Sequence, residues 1–337
     1  MNTPISLAVV GSWSISYIKL IDEFPKEGTA AEILQERLSN GGTAYNTAVN
    51  ISRLDPHIPI FAVGTIGCDL DGESILEDLK SHQISTKAMV TSPDLPTGYE
   101  DVTSVKKTGR CTIFRQKGAN QLLSKDSLKS IPETVSHYYF SSLIENPEIM
   151  IDVLTERQKK GAHLIVSVNQ QEATQYQSKL LPVLGKANTV ILGLAEFELI
   201  MGESVRVGGS IDSESLIHLS SEFIKKSGLL EKLFIHFPEG ALYRKVTGTI
   251  AWESSIALPR SKTSSSYGSG DAFKSGVILG ILHSYSKEKI LRLGHAAAAA
   301  AMMDLSASGG VWSEKKCLQL EEAFGKRPPL VSYTHAA

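Results

Sequence analysis

The sequence predicts an α/β protein with a mostly parallel central sheet, helices on both faces, and a small β-sheet standing off it. Three observations carry this expectation. From Ile58 onward, apolar strand patterns alternate with helical ones, as successive βαβ units require. Two glycine-rich turns, at Asn40–Asn46 and at Gly268–Asp271, each feed an apolar helical run. Two pairs of extended runs interrupt the alternation, which calls for a second, smaller sheet.

Taken in order, Ile5–Val10 reads as a buried strand ending at Gly11. Ile15–Phe24 and Ala31–Leu38 are extended runs separated by the turn signal Pro25-Lys26-Glu27-Gly28. The first glycine-rich turn then opens a helix through Ala48, Val49, Ile51 and Leu54. A strand at Ile60–Val63 and a helix at Gly72–His82 follow. Thr97–Val105 and Arg110–Gln116 form a hairpin through Lys106-Lys107-Thr108-Gly109. Alternation resumes with strands at Tyr138–Phe140, Leu164–Val168, Thr189–Leu192 and Leu233–His236, and helices at Glu148–Lys160, Ala195–Gly202 and Ser213–Ser227. Two more helical patterns close the chain, one from Ala272 through Leu282 and one around the run Ala296–Ala301, which reads as a close-packed buried helix. The expected division is a core of residues 1–11, 40–95 and 119–330, with a β lid built from residues 12–39 and 96–118.

Bulk properties exclude several classes of function. The 337 residues, 42% of them hydrophobic, suffice for a large core. With 34 basic against 36 acidic residues, no overall field recommends a nucleic acid or a membrane surface, so an anionic ligand must be met by a local site. Cys68, Cys111 and Cys317 are odd in number and lack metal-ligand spacing, which fits a reducing, cytoplasmic setting. Met1–Val10 has no signal-peptide pattern, and no apolar run is long enough for a membrane span. Strands terminating at glycine-rich turns place any ligand at their carboxyl ends. The histidines suggest no catalytic role: His163 and His236 lie on apolar strand patterns as satisfied buried imidazoles. Trp13 and Tyr17 are either core aromatics or stacking surfaces for a ring.

The chemistry concentrates at Gly268-Ser269-Gly270-Asp271. A helix N-terminus presents free N–H groups and a positive dipole end, and glycine lets an anion approach that backbone. Asp271 would repel such an anion if binding were its only duty; beside an anion cradle it makes sense as a base. On these four residues alone, an ordinary capped turn is the favoured reading. Lys106, Lys107, Arg110, Arg115 and Lys117 make the hairpin basic, either as a solvated face or as contacts for phosphates.

Two ordered motifs change the balance. Ser265-Ser266-Tyr267-Gly268-Ser269-Gly270-Asp271-Ala272-Phe273 resembles the Asp-Thr-x-Gly-Ala-Gly-Asp-x-Phe signature of ribokinase-like (PfkB-type) sugar kinases, and Gly41, Gly42 and Asn46 match their Gly-Gly-x-x-x-Asn turn. The resemblance covers nearly the full length and implies a three-layer ribokinase-like fold. It implies ATP-dependent phosphorylation of a sugar hydroxyl, with ATP and Mg²⁺ required and a monovalent cation as a further expectation. Asp271 would be the base, with the amides of Gly268, Ser269 and Gly270 as the anion hole. Gly41, Gly42, Asn46, Ser16, Glu145 and Asn169 would contact the sugar. Glu196, Gly240, Ser265 and His295 would serve the nucleotide, Glu196 also meeting the metal through water. Independently of the resemblance, an exposed strand edge of the lid seeks a partner, so a homodimer through the lid is a further expectation. The chain departs from the family pattern at Ser16, where many members carry a substrate-gripping Asp, at Gly193 for the Asn of Asn-x-x-Glu, and at Ser265 for the acid that opens the phosphate motif. Ile235-His236-Phe237-Pro238-Glu239-Gly240 keeps only the last glycine of the nucleotide segment. These departures sustain a second expectation, a sugar- or nucleoside-binding relative with weak or lost turnover. Ribose, fructose, a keto-deoxy sugar acid, a nucleoside and a phosphosugar all remain open as substrates.

Overall fold

The computed structural model describes residues 5–329. Its strands are β1 Leu7–Val10, β2 Ser14–Ile21, β3 Ile33–Gly41, β4 Ile60–Gly67, β5 Ser85–Ser92, β6 Gly98–Val105, β7 Cys111–Gln116, β8 His137–Phe140, β9 His163–Val166, β10 Thr189–Gly193, β11 Arg206–Val207, β12 Ser210–Ile211, β13 Lys232–Phe237, β14 Gly240–Lys245 and β15 Ile250–Ser254. The helices are α1 Thr43–Leu54, α2 Leu70–Ser81, α3 Pro147–Lys159, α4 Gln170–Gln175, α5 Gln177–Leu184, α6 Leu194–Met201, α7 Ser213–Ser227, α8 Ser269–Leu282, α9 Lys287–Met302 and α10 Glu314–Phe324.

Nine strands form the main sheet in the order β15-β14-β13-β10-β9-β8-β1-β4-β5. The strands from β5 to β13 are parallel; β14 and β15 add an antiparallel edge. Successive side chains of a strand point to opposite faces, and both faces here are covered. Leu7 and Val9, with Tyr139, Ile165 and Phe234, therefore join one apolar cluster, which includes residues of α1, α8, α9 and α10. Ala8 and Val10, with Phe140, Val166 and Ile235, join the other, which includes residues of α3, α5, α6 and α7. Double coverage is why these strands read as continuous apolar runs.

The alanine-rich run is the buried part of α9, packed against α8. A methyl group on Gly276 would stand 2.6 Å from the Leu293 carbonyl oxygen, so the two helices touch backbone to backbone. That contact fixes where the first turn of α8 ends up.

The second sheet has the order β3-β2-β6-β7, with β2 and β6 parallel and the outer pairs antiparallel. It draws on both interrupting segments, and β3 runs on to Gly41, into the first glycine-rich turn itself. Its inner face carries Ser16, Ile18, Glu100, Val102 and Ser104, all buried. Ile18 and Val102 pack with Tyr267, Leu305 and Ala307, which fastens the sheet beside the start of α8. Strand β5 and the β14–β15 pair have no counterpart in the sequence reading. Their polar edge residues, such as Ser85, Lys87, Glu253 and Ser254, blur any apolar pattern.

Candidate active site

Glycine-rich turns open α1 and α8, which lie side by side, Asn46 against Asp271 and the Thr47 carbonyl near Ser275. Gly268 adopts φ 77°, the left-handed region that favours glycine, and a methyl group there would stand 2.4 Å from Ala307 Cα. Gly42 adopts φ 91°, with the Ser12 carbonyl oxygen 2.5 Å from where a Cβ would lie. Side chains at either position would push these turns apart.

Asp271 lies in the first turn of α8. Its Oδ2 accepts a hydrogen bond from Asn46 Nδ2 at 3.0 Å, and Lys274 Nζ stands 3.5 Å from Oδ1. Burial raises the Asp271 carboxyl above its ordinary range, opposed by the Lys274 charge and the Asn46 bond. The Gly268 and Gly270 amides have no protein acceptor among the described residues; the Ser269 amide, assigned to the same cradle from sequence, already donates to Ser266 O at 3.2 Å.

Two cavities lie at the carboxyl ends of the parallel strands, and one of them reaches the α8 turn. The larger, of about 500 Å³, runs between α6, β13, α8 and α9 and is lined by Glu196, His236, Ser269, Gly270, Phe273 and His295, with Ile256, Leu258, Ala298, Ala299 and Met302 as an apolar end. The smaller, of about 220 Å³, is lined by Gly11, Ser12, Thr43, Arg115, Lys117, Glu145 and Asn169 with five further amide side chains, including Asn120 and Gln171. Asn120 is also locked to the Trp13 backbone by bonds of 2.8 and 2.9 Å.

The sequence-derived candidates separate into groups. Gly270, Glu196 and His295 line the larger cavity and Glu145 and Asn169 the smaller one, while Asp271 and Asn46 meet each other at the turn and, like Gly41 and Gly42, line neither cavity. Glu145 holds a positive φ of 56°, unusual for a non-glycine residue and characteristic of sites where backbone is constrained. Asn169 caps α4, its side chain accepting from the Glu172 amide at 3.0 Å. Gly240 opens β14 against the Glu253 carbonyl and lines neither cavity. Ser265 is fully buried, its hydroxyl bonded to Ser104 Oγ at 2.7 Å in the small sheet. Trp13 is a core residue, fully buried with Nε1 donating to Val63 O at 2.9 Å, while Tyr17 lies on the outer face of the small sheet.

Ser16 belongs to a network that sequence reasoning missed. Its hydroxyl and the Tyr267 hydroxyl are 2.8 Å apart; Tyr267 donates to Glu100 Oε2 at 2.6 Å, and Arg115 Nε donates to Glu100 Oε1 at 2.6 Å. A methyl on Gly41 would stand 2.1 Å from Ser16 Oγ and 3.3 Å from the Tyr267 hydroxyl, so Gly41 is required by this wall. Burial and then the Glu100 charge hold Tyr267 protonated, well above the usual phenol range. His236 corrects another expectation: it lines the larger cavity, and its Nε2 is buried without a partner rather than satisfied. Burial lowers its pKa to about 3, so it is neutral, its ring tilted 32° to that of Phe273 with centroids 4.8 Å apart. Lys274 was also missed; a lysine interrupting the apolar run that follows Asp271 was the available signal.

Comparison with known proteins adds the following. The model of the pfkB family carbohydrate kinases matches residues 5–313. Ribokinase of Mus musculus is 27% identical over 158 residues, 46% of this chain and 48% of that protein, so this match spans about half of the relative's length. Deoxyribokinase of Salmonella typhi is 21% identical over 269 residues, covering 80% of this chain and 83% of the relative. The structure of Arabidopsis thaliana ribokinase complexed with ribose and ATP has a TM-score of 0.74 at 20% identity, covering 94% of this chain and 98% of that one; at this identity the likeness is one of fold.

Proposed function

The chain belongs to the pfkB family of carbohydrate kinases, and from that premise we propose that it transfers the γ-phosphoryl group of ATP to a hydroxyl of a sugar, with Asp271 as the base. One observation carries the residue assignment: Asp271, in the first turn of α8, is tied to the other glycine-rich turn through Asn46, and the same turn puts Ser269 and Gly270 on the larger cavity. The larger cavity suits ATP. Its apolar end beside His295, Ala298 and Met302 receives the base, and the Ser269–Gly270 end, at a helix N-terminus, receives phosphates. The smaller, amide-lined cavity suits a single polyhydroxylated ring.

Asp271 takes the proton of the acceptor hydroxyl as that oxygen bonds to the γ-phosphorus and the bond from phosphorus to the β–γ bridging oxygen breaks, releasing ADP. The free Gly268 and Gly270 amides meet the charge on the transferring group. Among the described residues no three His, Cys, Asp or Glu side chains converge as a metal cage. Mg²⁺ would therefore ride on the phosphates, with Glu196 reached through water, and would supply charge neutralisation there. Gly41, Gly42 and Asn46 position the acceptor from one side, and Glu145 and Asn169 from the other. The small sheet serves as a lid that excludes water. Tyr17, Leu38, Tyr99 and Phe114 are exposed on its outer face and pair it with a second copy of the chain. The cytoplasm, where ATP is held, is the proposed compartment.

A second reading, binding with weak turnover, is supported by Gly193 and by the burial of Ser265 away from the nucleotide cavity. ADP release measured with ATP, Mg²⁺ and a panel of ribose, 2-deoxyribose, fructose, a keto-deoxy sugar acid and a nucleoside separates the two. Robust turnover with one acceptor, abolished in Asp271→Asn with the fold intact, is the expected result. No turnover on any acceptor favours the second reading, and normal turnover by the variant removes Asp271 as base.

A further inference from the structure

Lys274 stands one helical turn beyond Asp271 on α8, and the side chains are only 14% and 16% exposed. An i, i+3 pair in water contributes little, but this pair lies in the interior, where a charge without a counter-charge is costly. The rest of the helix from Ala272 onward is buried, and its packing calls for no ammonium at this position.

The surroundings of Asp271 leave its charge to Lys274. Asn46 of α1 donates to Oδ2, and Lys274 faces Oδ1. Glu100 of β6 adds a second negative charge near the carboxylate, and Arg115 of β7 is bonded to Glu100 at 2.6 Å. Tyr139 of β8 and Tyr267 also face this region, both buried and protonated. Glu196 of α6 and the neutral His236 of β13 face Lys274 from the larger cavity. Lys274 is the one basic side chain in contact with Asp271 among the described residues. A carboxylate beside an anion cradle repels the anion unless a cation offsets it, and Lys274 is placed to do so.

We infer that Lys274 is a positioning residue for phosphoryl transfer: its ammonium keeps Asp271 ionised and turned toward the acceptor site, and offsets the repulsion between that carboxylate and the phosphoryl donor. The inference rests on Asp271 being the base, so its test has one arm that needs no substrate. The difference in Tm between the parent and D271N, followed from acidic to neutral pH, inflects where Asp271 ionises. In Lys274→Met this inflection moves up by roughly one pH unit or more, while Lys274→Arg, which keeps the charge, leaves it near the parent value. Lys274→Gln replaces the methionine variant if that one fails to fold.

In the second arm, ADP release is measured with ATP and the acceptor that gives turnover in the panel. Lys274→Met lowers kcat about 100-fold with the acceptor KM nearly unchanged, and the acid limb of its kcat/KM profile moves up by the same amount as the Tm inflection. Lys274→Arg recovers most of the rate. An unmoved inflection and an unmoved acid limb in a folded Lys274→Met protein overturn the inference. If D271N itself turns over normally, the base assignment fails, and the Tm inflection still reports whether Lys274 governs the ionisation of residue 271.

Discussion

Replacing Tyr267 by Phe removes one hydroxyl and leaves the ring in place. That hydroxyl bridges the fully buried Ser16, at 2.8 Å, and the carboxylate of Glu100, at 2.6 Å and only 3% exposed. A hydrogen bond to a charged group contributes about 1.5–3 kcal/mol, and a buried hydroxyl left without a partner costs about 1–3 kcal/mol. Glu100 keeps Arg115, and Ser16 has some freedom to rotate, so the expected loss is about 3 kcal/mol. For a chain of this size, with an unfolding entropy of roughly 0.7 kcal/mol/K, that lowers Tm by about 4 °C. Because the bond joins the small sheet to the segment before α8, the loss should be concentrated there. Chemical denaturation gives the free energy, and amide exchange of β2 and β6 locates it. A cycle with Ser16→Ala isolates the Ser16–Tyr267 term, expected at about 1 kcal/mol. A Tyr267→Phe protein within about 0.5 kcal/mol of the parent, with β2 and β6 equally protected, would refute the bridging role.

Further outcomes follow from the same geometry. Gly268→Ala forces a side chain into a left-handed turn against Ala307, so the variant should lose about 2–4 kcal/mol in denaturant unfolding and most of its activity. Ser16→Asp buries a second carboxylate beside Glu100 and should destabilise by several kcal/mol, read as a drop in Tm that a simultaneous Tyr267→Thr partly relieves. His236 has its folded pKa lowered by burial from 6.5 to about 3, so the unfolded chain takes up a proton between those values; stability present above pH 6.5 should fall as pH drops through that window, and His236→Asn should flatten this part of the melting curve. Leu38 and Phe114, each 60% exposed on the outer sheet face, should support self-association; Leu38→Asp with Phe114→Asp should shift the mass measured by light scattering to that of a single chain, and a parent already at that mass removes the proposed dimer.

The sequence by itself determined the layered α/β architecture, because strands buried on both faces must be apolar throughout and their helices must carry apolar stripes. It also determined the two glycine-rich turns, since Gly42 and Gly268 hold φ values that other residues adopt only with strain. With those turns came Asp271 and Asn46, recognisable because each stands at a set offset from its glycines. The residues it did not reveal are those whose roles depend on partners far along the chain. Ser16 and Tyr267 meet across 251 positions, and Tyr267 and Glu100 across 167. Ser265 has the composition of a phosphate-turn residue, yet its hydroxyl is taken by Ser104. His236 looked like any imidazole in an apolar strand until the cavity beside it left Nε2 without a partner. Local pattern records which face of an element is buried and where the chain must turn, because both are constraints on neighbouring residues. Which polar groups then meet, and which charge is left for Lys274 to balance, depends on how separate elements pack, and only the tertiary structure decides it.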